Sequence, residues 1–208
     1  RALQRKWWSW CGHVIACSQF LRQILVRDYG VAPDKVQTVM NAYHGPPPDT
    51  LKATRDEARK ELGLARERRY VLTICRLMGW KRVDGMIEAL MELPSDVHLL
   101  VAGDGDMEHA WKELARSLGL AERVTFLGNV PHAKIPLYIR AADVFVLNSR
   151  YEGLSHTLLE VLTLGTPIVA SNVCGNPEVV EDGVNGFRVG PVRSKGLAER
   201  IRTLLDDP

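Results

Sequence analysis

Short runs of β-branched and aliphatic residues alternate along this chain with longer stretches in which apolar positions recur every three or four residues. The first pattern predicts strands buried on both faces, the second amphipathic helices. Strands are expected at His13–Cys17, Val36–Met40, Tyr70–Cys75, Val97–Ala102, Val124–Leu127, Val144–Leu147, Ile168–Ala170 and Gly186–Val189. Helices are expected at Ala2–Trp10, Ser18–Tyr29, Thr54–Leu62, Val83–Leu93, Met107–Leu118, Ile135–Ala141, Ser155–Leu164, Pro177–Glu181 and Lys195–Leu205. Strands that alternate with helices argue for an α/β fold, a parallel sheet with helices on both faces.

Gly45-Pro46-Pro47-Pro48 interrupts this rhythm. A proline run holds the backbone extended and stops any helix, so residues 46–50 read as a linker. The stretch before it, residues 1–45, holds too few elements for a two-sided sheet and reads as the remnant of another domain. Residues 51–208 read as the main domain.

Bulk properties narrow the partners more than the fold. The 208 residues are 46% hydrophobic and 25% charged, with a formal net charge of +2, an ordinary globular composition. So small a charge offers no electrostatic argument for nucleic acid or an anionic membrane as main partner. Neither an apolar run long enough to span a bilayer nor a secretory signal is visible. Cys11, Cys17, Cys75 and Cys174 lack disulfide or zinc spacing, which suits reduced, mostly buried thiols and a cytoplasmic setting.

The candidate chemistry gathers at the ends of predicted strands. In Glu152-Gly153-Leu154-Ser155-His156-Thr157-Leu158-Leu159-Glu160, one carboxylate lies in a turn after a strand and the other on the following helix. Open α/β sheets bind ligands at that edge, and a helix N-terminus there offers free N–H groups to a phosphate. Carboxylates beside it can accept hydrogen bonds from sugar hydroxyls. Arg76 follows the strand Tyr70–Cys75, and Lys81 follows five residues later. The planar fork of an arginine and the movable charge of a lysine suit a diphosphate. Val101-Ala102-Gly103-Asp104-Gly105 runs a strand into a glycine turn, where a ligand can approach the backbone. Glu108 stands where a dinucleotide fingerprint would place its third glycine, which argues against a dehydrogenase. Asp104 and Asp106 form an Asp-x-Asp pair suited either to a metal-bound diphosphate or to capping the next helix. The junction Phe126-Leu127-Gly128-Asn129-Val130-Pro131 suits a flat base held by backbone groups. His156 is expected to face solvent and His44 a cleft. Trp7, Trp8 and Trp10 are expected to pack against a further domain.

With these residues assembled, the chain resembles the retaining glycosyltransferases of the GT-B fold, in the family that includes sucrose synthases and many mannosyl- and glucosyltransferases (glycosyl transferases group 1). Glu152 and Glu160 meet its Glu-x7-Glu motif. Arg76-Leu77-Met78-Gly79-Trp80-Lys81, Ala102-Gly103-Asp104-Gly105, Gly165-Thr166-Pro167-Ile168-Val169-Ala170-Ser171 and Glu178 to Gly186 resemble further segments of the family. Ile15-Ala16-Cys17-Ser18 and Val39-Met40-Asn41-Ala42 look like the end of an N-terminal acceptor domain and the inter-domain hinge, with Ala42 where glycine is common. The resemblance thus implies the C-terminal half of a GT-B fold, a Rossmann-like nucleotide-sugar donor-binding domain at residues 51–208, truncated at its C-terminal end.

The implied activity is transfer of a hexosyl group from a UDP- or GDP-sugar to an acceptor hydroxyl, with retention and without metal or other cofactor. Arg76 and Lys81 would stabilise the departing diphosphate, and Glu152 would hold the donor sugar. Glu160 would bind the ribose, Val130 the base, and Gly103, Gly153, Leu154, Ser155 and Leu159 complete the donor site. Partners implied are the nucleotide-sugar and a glycan, lipid or small-molecule acceptor, with no nucleic acid; peripheral contact with the cytoplasmic membrane face through the N-terminal domain is compatible. A nucleotide-sugar epimerase of the same fold and a non-catalytic nucleotide-binding module are the competing readings. The isolated fragment is expected to bind donor rather than to turn it over.

Overall fold

A computed structural model describes residues 8, 10–46, 50, 52–190 and 194–207. Two parallel sheets are present. A small one pairs β1 (Val14–Ala16) with β2 (Val36–Thr38) around α1 (Gln19–Arg27). The large one contains β3 (Arg69–Ile74), β4 (Val97–Ala102), β5 (Val124–Gly128), β6 (Val144–Leu147), β7 (Ile168–Ser171) and β8 (Phe187–Val189). Its spatial order is β5-β4-β3-β6-β7-β8, with every pairing parallel. This is the Rossmann-like order, and the chain direction across the sheet reverses between β3 and β6.

The uniform apolarity of the strands follows from helices on both faces. Alternate residues of each strand enter opposite cores. Val71, Val97, Leu99, Val101, Val144, Val146 and Val169 point to α3 (Val83–Ala89), α4 (Glu108–Ser117) and α7 (Ser194–Asp206). Leu72, Leu100, Phe145, Leu147, Ile168 and Ala170 point to α5 (Ile135–Ala141) and α6 (His156–Leu164). Helix α2 (Arg55–Leu62) packs on α5. It begins with a capping box, Thr54 with Glu57, and stops at Gly63 in the left-handed region.

At the amino edge a buried ion network closes the sheet. Arg59 Nη2 and Arg55 Nη1 meet Asp143 Oδ2 and Oδ1 at 2.6 and 2.9 Å. The Tyr70 amide donates to Asp143 Oδ2 at 2.6 Å, and the Arg59 guanidinium lies over the Tyr70 ring.

Each predicted strand has its counterpart, with ends shifted by a residue or two. The helix expected at Pro177–Glu181 does not form. A single 3-10 turn, Asn176–Glu178, stands there instead. Asn176 donates its side-chain amide to the Ser171 carbonyl, and Asn185 donates to the Val179 carbonyl and accepts from Glu181 N. These local bonds satisfy the segment without a helix. The predicted helix Val83–Leu93 likewise ends as α3 at Ala89 and continues as a 3-10 turn, Leu90–Glu92. Most of Ala2–Trp10, with Trp7, and the linker residues Pro47, Pro48 and Asp49 lie outside the described residues. Trp8 packs edge-on against Tyr29 within the small sheet unit, whereas Trp10 is exposed. The four cysteines are partly buried, less sheltered than expected. Among the described residues no helix is long and apolar enough to cross a membrane.

Candidate functional site

The carboxyl ends of β3 and β6 flank the topological switch, the position at which open α/β sheets take ligands. Two loops meet there. The β3–α3 loop carries Arg76 and Lys81; the β6–α6 loop carries Glu152, Gly153, Leu154 and Ser155. Two hydrogen bonds lock them together: Arg150 N donates to Trp80 O at 2.7 Å, and the Asn148 side-chain Nδ2 to Arg82 O at 3.2 Å. Lys81 Nζ then lies 2.5 Å from Glu152 Oε1, with side chains only 17% and 12% exposed.

The glycine turn after β4 braces the first loop. Cys75 N donates to Ala102 O, Leu77 N to Asp104 O and Met107 N to Leu77 O. A Cβ on Gly103 would overlap the Cys75 carbonyl oxygen, and one on Gly105 would press on that of Leu77. These glycines therefore let backbone meet backbone directly under Arg76. The Cys75 thiol, enclosed in this packing, is pushed up to about 11 by burial, against the opposing pull of the Lys81 charge.

Helix α6 starts at the switch. Ser155 is its N-cap, its hydroxyl accepting from Leu158 N at 3.4 Å, and Gly165 ends it in the left-handed region. The first-turn N–H groups have no intrahelical acceptors and point out of the helix end. Glu160, on α6, is 9% exposed. Burial raises its carboxyl above the ordinary range, while His132 and His156 pull it down. His132 Nε2 stands 3.7 Å from Glu160 Oε1. Tyr43, in the segment after β2, is raised in turn by burial and by the Glu160 charge.

Of the sequence-predicted residues, Lys81 and Glu152 are in direct contact, and Gly153, Leu154 and Ser155 continue the same turn. Gly103 lies beneath the β3–α3 loop. Val130 and Leu159 are half-buried against the core that holds α5 and α6. Arg76 is exposed at the end of β3. His156 and His44 are exposed. Asp104 and Asp106 do not cap α4, whose N-cap is Met107 without a side-chain bond. Among the described residues no group of three or more His, Cys, Asp or Glu is arranged to hold a metal. Asn41, Tyr43, His132 and Glu178 also reach this region. Asn41 and Glu178 lie in segments that resemble the family's, but no role at this site follows from their spacing, because only the folded chain brings these four residues to the switch.

The sequence profile of the glycosyl transferases group 1 family matches residues 54–208. The chain belongs to this family. It is 38% identical over 160 residues to alpha-D-kanosaminyltransferase of Streptomyces kanamyceticus, an alignment covering 76% of this chain and 41% of that one. It is 31% identical over 197 residues to D-inositol 3-phosphate glycosyltransferase of Rhodococcus opacus, covering 88% and 43%. Anabaena Alr3699/HepE in complex with UDP-glucose superposes with a TM-score of 0.84 at 28% identity, over 95% of this chain and 55% of that one. Sucrose-phosphate synthase from Thermosynechococcus elongatus superposes with a TM-score of 0.89 at 26% identity, over 100% and 52%. This group 1 chain thus spans about half the length of the curated relatives it matches. Its fold is that of GT-B glycosyltransferases, with the Lys81–Glu152 pair at the strand ends of the Rossmann-like sheet.

Proposed function

We propose that the protein transfers a hexosyl group from a UDP- or GDP-linked sugar to an acceptor hydroxyl, with retention and without a metal ion. The observation that carries this reading is the Lys81–Glu152 contact at the switch, beside the N-terminus of α6. Family membership and the UDP-glucose complex of HepE support it.

Lys81 and Arg76 oppose the diphosphate charge, and the N–H groups around Ser155 donate to the remaining phosphate oxygens. As the sugar–oxygen bond breaks, negative charge grows on the diphosphate oxygen, and donors already in place stabilise it without reorganising. Glu152 holds donor-sugar hydroxyls and supports positive charge at the anomeric carbon. Glu160 accepts from the ribose hydroxyls. Val130 offers backbone groups to the base. Two cations and a helix end supply the charge that a metal would otherwise bring.

Calorimetry of this chain with UDP and GDP, with and without EDTA, tests the binding half. One of the two should bind, and chelation should leave the affinity within threefold. A tenfold loss, about 1.4 kcal/mol, would restore Asp104 and Asp106 as metal ligands. Phosphates lying away from Lys81 in a nucleotide-bound structure would sink the assignment. For the whole protein, NMR of the transferred product should show the donor's anomeric configuration; release of epimerised free sugar without acceptor would instead point to an epimerase.

A further inference from the structure

We infer that Asn41 is a positioning residue that aims the Ser155 N–H at the donor diphosphate; this rests on the reading of the site given above. Asn41 Nδ2 donates to the Leu154 carbonyl at 3.1 Å, across 113 positions of sequence. The Leu154–Ser155 peptide is trans, as no cis bonds are present among the described residues. In a trans peptide the C=O and the following N–H point in opposite directions. Holding Leu154 O against Asn41 therefore turns Ser155 N–H the other way, at the end of α6 where the first-turn donors lie. Ser155 Oγ accepts from Leu158 N and keeps its own hydrogen, so this turn can donate through that hydroxyl as well as through its backbone N–H groups.

The turn depends on its surroundings for this orientation. On one side Gly153 lies against the N-terminal segment, where a Cβ would come within 3.3 Å of Leu21 Cδ1 and 3.4 Å of Cys17 Sγ. On the other, Gly175 packs so closely that a Cβ there would overlap the Gly153 carbonyl oxygen. Glu178, in the same 3-10 turn, reaches back to α1: Gln19 N and Phe20 N donate to its Oε2 and Oε1, both at 2.8 Å. A carboxylate at a helix N-terminus is favourably placed. The segment bearing Cys17 and Leu21 is thus anchored to the large sheet by Glu178, and Asn41 reaches the same turn from beyond β2. A donor held in place before the ligand arrives costs no ordering when the charge develops.

The test compares Asn41→Ala and Asn41→Asp with the unaltered chain. UDP and GDP are titrated by calorimetry, uridine and guanosine serve as phosphate-free controls by saturation-transfer NMR at millimolar concentration, and melting is followed by circular dichroism. Asn41→Ala should lose about tenfold in diphosphate affinity while nucleoside binding and melting temperature stay unchanged. Asn41→Asp, which sets an acceptor against the Leu154 carbonyl, should lose more. Equal losses for diphosphate and nucleoside, or a lowered melting temperature with unchanged affinity, would reduce Asn41 to a structural brace and overturn the inference. Folded variants that bind the diphosphate as the unaltered chain does would overturn it too. If the unaltered chain binds neither UDP nor GDP, the functional reading itself fails, and that result is separable because it needs no variant.

Discussion

Lys81 Nζ and Glu152 Oε1 stand 2.5 Å apart although 71 positions separate them in sequence. Both are largely screened from water. The cation assigned to the diphosphate and the carboxylate assigned to the sugar therefore neutralise each other before a ligand arrives. A diphosphate has to draw Lys81 away from this partner.

Opposite effects are expected from breaking that pair on its two sides. Lys81→Ala should weaken nucleoside diphosphate binding by about 1.5–3 kcal/mol, the loss of one charged hydrogen-bond partner. Glu152→Gln should tighten it severalfold, about 0.5–1 kcal/mol, by removing the competitor, while transfer by the whole protein is abolished. Calorimetry on both variants checks this. Weakening of similar size in both would mean that the ion pair binds as a unit.

Glu160 should trade stability for binding. Its folded-state titration lies above the ordinary carboxylate range, chiefly through burial. The native chain then holds a proton that the unfolded chain has released, so stability falls as pH rises from about 4.5 into the raised folded range. Glu160→Gln should flatten that fall, raise the melting temperature at pH 7 and weaken nucleoside diphosphate binding. Melting curves from pH 4 to 8 provide the check. A lowered melting temperature at pH 7 would instead make Glu160 a brace of its helix.

Asp143 should matter for stability alone. It accepts from Arg55, Arg59 and the Tyr70 amide at the edge of the sheet opposite the switch. Asp143→Ala leaves the Arg59 guanidinium buried without its anion and should destabilise by about 3–5 kcal/mol. Nucleotide affinity measured below the melting transition should not change. A selective loss of affinity would show that the amino edge communicates with the site.

Cys75 should be chemically quiet. Burial pushes its thiol up to about 11, so little thiolate exists at pH 8. Iodoacetamide followed by peptide mass spectrometry should leave it unmodified in the folded chain and label it after denaturation. Rapid labelling in the native state would mean that the packing under Arg76 opens.

The strands of the large sheet were legible because burial on both faces leaves Val144–Leu147 wholly apolar and Val97–Ala102 apolar but for His98. Their local composition reports their environment directly. Helix α2 forms within the expected Thr54–Leu62, and the structure shows it bounded by Thr54 with Glu57 and by Gly63, whose roles depend on nearest neighbours alone. The segment Pro177–Glu181 was misread because side-chain bonds from Asn176 and Asn185 satisfy its backbone, and nothing in its hydrophobic spacing reveals them.

The sequence by itself determined which residue types stand at the ends of strands: Arg76 and Lys81 after β3, Glu152 to Ser155 before α6, and Glu160 along that helix. These follow from periodicity and turn chemistry, which act over a few residues. Tertiary structure alone decided the rest. It brought β3 beside β6, which set Lys81 on Glu152. Close packing turned the glycines of the β4 turn against Cys75 and Leu77 rather than leaving them open. The same folding carried Asn41 to Leu154 and Glu178 to the start of α1. Such contacts depend on strand order and interlayer packing, which are properties of the whole buried core and are written in no single stretch of sequence.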